Sequence, residues 1–68
     1  MERIHDCKGR MACMGNVKTG LLEVLHKKHR TSATIPNGGI FKIEREDVIT
    51  IVTRMNDKFE IQSYEKIV

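Results

Sequence analysis

Tryptophan is missing from this 68-residue sequence, and its aromatics are Phe41, Phe59 and Tyr64 alone. A sheet that reads RNA by stacking needs two or more exposed aromatic rings, and Phe41 and Phe59 read as core residues. Cysteine is scarce too: Cys7 and Cys13 cannot staple a disulfide-dense scaffold. No apolar run approaches the roughly 18 residues of a membrane span, and none of the segments repeats. The opening Met1-Glu2-Arg3-Ile4-His5-Asp6 carries no apolar stretch of a secretory signal. With two unpaired thiols, that predicts a reduced, cytoplasmic chain without a membrane partner.

What is present is ordinary for a globular chain. Hydrophobic residues make up 40% and charged residues 31%, too apolar for disorder. The length allows one domain with a thin core, since a chain of this size buries only about 60% of the surface its unfolded form exposes. Net charge is +3, and it is unevenly spread. Residues 1–34 hold seven Lys and Arg against three Asp and Glu, whereas residues 35–68 hold five against six. The basic half would attract an acidic partner, either a nucleic acid or an acidic protein surface.

Residues 1–15 carry no clear signal, because Gly9 and Gly15 bracket the apolar Met11-Ala12-Cys13-Met14. Met14, Val17, Leu21, Val24 and Leu25 fall at helical spacing, which predicts an amphipathic helix over 16–30. Asn16 or Thr19 would cap it, and Lys27, Lys28, His29 and Arg30 would close its last turn, where cations complement the helix dipole. From Thr31 the signals turn to strand. Thr31–Ile35, Ile40–Arg45, Val48–Met55 and Phe59–Glu65 are separated by Pro36-Asn37-Gly38-Gly39, Glu46-Asp47 and Asn56-Asp57-Lys58.

Gathering the largest apolar residues on one face predicts Ala33, Ile35, Phe41, Ile43, Ile49, Ile51, Met55, Phe59 and Ile61 inside. That register requires three-residue connections at Asn37–Gly39 and Asn56–Lys58. It also requires a bulge or a third loop residue at Glu46-Asp47. The expected fold is therefore α+β: a single domain over 1–68 with one N-terminal helix packed on a four-stranded antiparallel meander over 31–65. The opposite sheet face would expose Lys42, Val48, Val52, Arg54 and Tyr64 with nothing in the chain to cover it. An apolar patch on such a face reads as a docking surface for a protein partner or for a second copy.

Chemistry-bearing constellations are weak. Cys7, Cys13, His26 and His29 form Cys-x5-Cys-x12-His-x2-His. The middle spacing matches a two-Cys, two-His zinc finger and the outer spacings do not. Any chain with these residues permits a Cys–His nucleophile pair to be drawn, but no nucleophile elbow or glycine-rich phosphate loop accompanies it. Glu44, Glu46 and Asp47 lie around a turn and read as solvated carboxylates. No metal, cofactor or catalytic set is expected. The sequence points to a small non-enzymatic protein that binds a protein partner as an inhibitor or regulator, through Val48, Val52, Arg54, Tyr64 and Lys42. The other reading is a small basic nucleic-acid-binding regulator using Lys18, Lys27, Lys28 and Arg30.

Overall fold

The structure, a computed structural model, describes residues 1–26 and 28–67. It is all-β: strands β1 (Glu2–His5), β2 (Met11–Asn16), β3 (Leu21–His26), β4 (His29–Thr34), β5 (Ile40–Glu44), β6 (Val48–Met55) and β7 (Lys58–Glu65). They form two antiparallel meanders, β1-β2-β3-β4 and β5-β6-β7. The inner faces of the two sheets pack on each other, with Ile4, Ala12, Cys13 and Leu22 from the first meeting Ile43 and Val52 from the second.

The expected helix over 16–30 is instead the β3–β4 hairpin, with the turn that precedes it. Asn16 and Gly20 explain why. The Asn16 side chain accepts from the Lys18 N–H, Gly20 N–H donates to the Asn16 carbonyl at 2.7 Å, and Gly20 takes φ 82°. This is turn chemistry, an Asx bond closed by a left-handed glycine, and it ends β2 where a helix cap was expected. A helical stripe would leave Leu22 off the core. In the strand, Leu22 is fully buried and Val24 packs beside it, while Leu25 is 53% exposed. The α+β fold is thereby replaced by a seven-stranded sandwich.

The unassigned N-terminal stretch is the β1–β2 hairpin. A three-residue loop, Cys7-Lys8-Gly9, is closed by Asp6 N–H to the Arg10 carbonyl at 2.8 Å, with Gly9 at φ 79°. One extra residue, Ala12, sits between the pairs Ile4–Cys13 and His5–Met11, so both Ala12 and Cys13 turn inward.

The second sheet corrects the expected register by one residue. Arg45 N–H donates to the Val48 carbonyl at 2.9 Å across a two-residue Glu46-Asp47 turn, and Phe41 pairs with Val52, Ile43 with Thr50. Asn56-Asp57 is likewise a two-residue turn, with Asn56 at φ 56° and Met55 paired with Lys58. Side-chain direction has a period of two, so this slip turns every side chain of β6 to the other face. Val48, Thr50 and Val52 are buried, and Ile49, Ile51 and Met55 lie on the outer face. Pro36–Gly39 does not close a hairpin. It carries the chain from one sheet to the other, with Gly39 N–H bonded to the Pro36 carbonyl and Gly38 at φ 84°.

Candidate binding surfaces

Two clamps fix how the sheets sit on each other, and with them which faces are free. At one end, Asp6 is 7% exposed at the base of the β1–β2 turn. Its carboxylate accepts from the backbone N–H groups of Lys8 and Arg10 and from Arg10 Nε at 3.2 Å. Burial pushes the Asp6 pKa up, but those donors and the Arg10 charge outweigh it and hold the group below the ordinary value. Arg10 Nη2 continues to Asp47 at 3.0 Å in the β5–β6 turn, and Lys8 Nζ reaches the same carboxylate at 3.1 Å. Hydrogen bonds from Arg10 and then Lys8 lower Asp47 to about 2. Asp47, read from sequence as a solvated turn carboxylate, is the point where the two sheets are tied. Cys7 N–H to Ser63 Oγ at 2.9 Å and Arg45 Nη2 to the Met11 carbonyl at 3.2 Å add to the same end.

At the other end Arg54 leaves β6 toward the first sheet. Its Nη1 donates to the Ile35 carbonyl at 2.9 Å, and Nη2 to the Lys18 carbonyl at 3.2 Å. Gly20 is required beside it, because a Cβ there would meet both Arg54 and the Ile35 carbonyl. Arg54 is therefore a pin between turns rather than part of an open face.

The residues expected to bind a protein partner separate. Val48 and Val52 are 1% and 0% exposed, so the docking patch cannot be centred on them. Lys42 and Tyr64 do reach the outer face of β5–β7, opposite Ile51 and Ile49 respectively. That face carries Ile40 at 66%, Tyr64 at 49% and Met55 at 41% exposed, with Ile49 and Ile51 half-buried along its central strand. Sequence reasoning missed Ile49, Ile51 and Met55 as surface residues. Asn56, a residue that tolerates the left-handed region at the start of a two-residue turn, was the signal that could have found them.

The basic residues separate as well. Lys18 sits on the β2–β3 turn and Lys28, with Arg30, at the β3–β4 turn. They lie at opposite ends of β3, a six-residue strand; at about 3.3 Å per residue that is a separation of about 20 Å. Lys27 lies outside the described residues. No single strip of Lys and Arg is formed from Lys18, Lys28 and Arg30.

Cys7 is exposed on its turn, whereas Cys13 is buried and its thiol is pushed up to about 11 by loss of solvent. The Cys-x5-Cys-x12-His-x2-His run is spread over separate elements, with Cys7 on the β1–β2 turn, Cys13 within β2 and His29 at the start of β4. The His26 side chain is outside the described part. Among the described residues no three of His, Cys, Asp and Glu come together at metal-holding reach.

A groove of about 150 Å³ opens between the two sheets on the side of β4 and β5, lined by Val24, Thr31, Phe41, Lys42 and Ile43. Among the described residues no helix is long and apolar enough to cross a membrane. No known protein family, curated protein or solved structure matches the chain.

Proposed function

We propose that this chain is a small non-enzymatic protein that binds a protein partner and acts as an inhibitor or regulator of it. The observation that carries this reading is the outer face of β5–β7, where Ile40, Ile49, Ile51, Met55 and Tyr64 form an apolar surface. Lys42, Glu44, Lys58 and Glu60 edge it with both signs of charge. An apolar centre with a charged rim is the composition of a protein–protein contact. Nucleic acid is the weaker fit, since Lys18 stands apart from Lys28 and Arg30 and Tyr64 is the one exposed aromatic ring. The two free cysteines agree with a cytoplasmic setting.

A pull-down from lysate with and without nuclease, repeated with Ile51→Lys, tests the reading. A captured protein that resists nuclease and is lost with Ile51→Lys agrees with it. Capture that vanishes with nuclease, or that Ile51→Lys leaves untouched, overturns it.

A further inference from the structure

Strand β4 ends the first sheet, and its hydrogen-bonding phase can be fixed. Ile35 N–H donates to the Gly20 carbonyl at 2.9 Å, which makes Gly20–Ile35 a hydrogen-bonded pair. Bonded and non-bonded pairs alternate along an antiparallel ladder. The register Leu22–Ala33 and Val24–Thr31 therefore uses the backbone groups of Ala33 and Thr31 toward β3. The N–H and C=O groups of Arg30, Ser32 and Thr34 point the other way, to the free edge. Every β4 residue except Ala33 is exposed.

Beside that edge lies the groove over Val24, Phe41 and Ile43. On its far side β5 is also an edge strand. Its phase follows from Arg54 N–H to the Gly39 carbonyl at 3.0 Å, so Ile40, Lys42 and Glu44 turn their backbone groups away from β6. The sandwich is thus open between two unpaired edges, above an apolar floor. The charges around the slot favour an anion. Arg30 and Lys28 stand at one end of β4 with no ion-pair partner among the described residues, with Glu23 opposite Ser32 on the same outer face as Arg30, and Lys42, which lines the groove, lies 3.9 Å from Glu44. Glu44, the nearest acid on β5, is shared between Lys66 at 2.9 Å and Lys42 at 3.9 Å, so the two cations outnumber it.

We propose that the β4 edge takes an extended acidic segment of a protein partner as an added strand. The segment bonds to the outward backbone groups of Arg30, Ser32 and Thr34, and an apolar side chain enters the groove over Phe41. This rests on the protein-binding reading above and gives the chemistry of the partner. Main-chain bonds supply affinity and alternate side chains supply choice. The residue opposite Thr31 turns inward to Val24 and Phe41, so it is apolar. Its neighbours turn outward beside Arg30 and Ser32, so an acidic residue there meets the guanidinium. The recognised pattern is an alternation of acidic and apolar residues.

The test uses the whole protein, a blocked heptapeptide of alternating Glu and Val, and a control of alternating Lys and Val. The Glu–Val peptide is expected to shift the amide resonances of Arg30, Ser32 and Thr34 and to slow their hydrogen exchange, with the Lys–Val control far weaker. Ser32→Pro removes one outward donor without touching a β3–β4 bond, and proline is tolerated on an edge strand. It is expected to weaken the peptide by about tenfold while leaving the Leu22 and Val52 methyl resonances in place. Three results overturn the proposal: equal binding of both peptides, binding that Ser32→Pro does not weaken, or slow exchange at Ser32 in a dimer without peptide. Shifts confined to Ile49 and Ile51 also overturn it, and in that case the protein-binding reading stands without it. If neither peptide binds, the proposal falls whatever Ile51→Lys does to partner capture, and capture that survives Ile51→Lys overturns the β5–β7 reading independently.

Discussion

Phe59 on β7 packs against Gly15 on β2: a Cβ at position 15 would sit 2.6 Å from Phe59 Cε2 and 2.8 Å from Leu22 Cδ2. Gly15 pairs with Leu22 across the first sheet, and Phe59 with Arg54 across the second. The glycine is thus a socket in one sheet for a ring from the other. It explains how Phe59 packs inward although β7 is an edge strand and Ile61, two residues on, is 36% exposed.

Gly15→Ala is expected to destabilise the fold by about 1–3 kcal/mol, the usual range for inserting atoms into a packed core. Urea denaturation measures it. Gly9→Ala has open space around its Cβ but φ 79°, so its cost is one of backbone strain alone. If Phe59→Leu in the Gly15→Ala background restores the loss, the clash with the ring is its cause. An additive loss in the double variant would place the cause elsewhere.

Acid is expected to loosen the tie at Asp47. A carboxylate whose folded pKa lies below its unfolded value stabilises the fold above the unfolded value, and that contribution is lost as pH falls through the folded one. For Asp47 the window runs from 3.8 down to about 2, and Asp6 and Glu44 are lowered in the same direction. The urea midpoint of the natural chain should stay level at mildly acidic pH and drop across this window. Asp47→Asn should lower the midpoint at neutral pH and flatten the drop, the two curves meeting near pH 2. Parallel curves would show that Lys8 and Arg10 gain nothing from Asp47 in solution.

The two thiols should behave unlike each other. A thiolate is the nucleophile, and Cys13 is held protonated by burial with its pKa at about 11, behind the packed sheets. Cys7 is exposed on a turn. A thiol reagent at neutral pH is expected to label Cys7 quickly. Cys13 should react only as fast as the first sheet opens, and fully in urea. Mass spectrometry of the labelled chain assigns the sites. Fast labelling of Cys13 in the folded protein would contradict its place in the core.

The strands of the second sheet were legible in the sequence because their composition is one-sided: β-branched runs between clear turn residues. Their register was not. β6 is aliphatic on both faces, with Val48 and Val52 on one and Ile49 and Ile51 on the other, so bulk alone pointed to the isoleucines. Turn length decided instead, and Asn56 and the Glu46-Asp47 pair each make a two-residue turn. The first sheet was illegible for a different reason. Leu21, Val24 and Leu25 satisfy a helical period and Leu22 and Val24 satisfy a strand period within the same six residues. Only the pairing of β3 with β2 and β4, a contact no local pattern contains, selects the second. Lys42 and Tyr64 lie on the open sheet face to which the sequence assigned them, and the apolar residues between them were placed one residue out.

That single-residue slip gives the sharpest test of the fold. Ile51 and Val52 are neighbours in β6, and lysine at each asks which way the strand faces. Val52 is fully buried against Ile43 and Phe41, where a charged side chain has no partner and no water. Burying an unpaired charge costs several kcal/mol, and a domain of this length has about 3–10 kcal/mol of stability in all. Val52→Lys is therefore expected to leave most of the chain unfolded, with collapsed amide dispersion. Ile51 points to the outer face, and a lysine there reaches water along its stem. Ile51→Lys should keep the fold within about 1 kcal/mol, the scale of an exposed strand substitution. The opposite pattern, an unfolded Ile51→Lys and a folded Val52→Lys, would move the register of β6 back by one. It would also return Val48 and Val52 to the surface as the centre of the docking face.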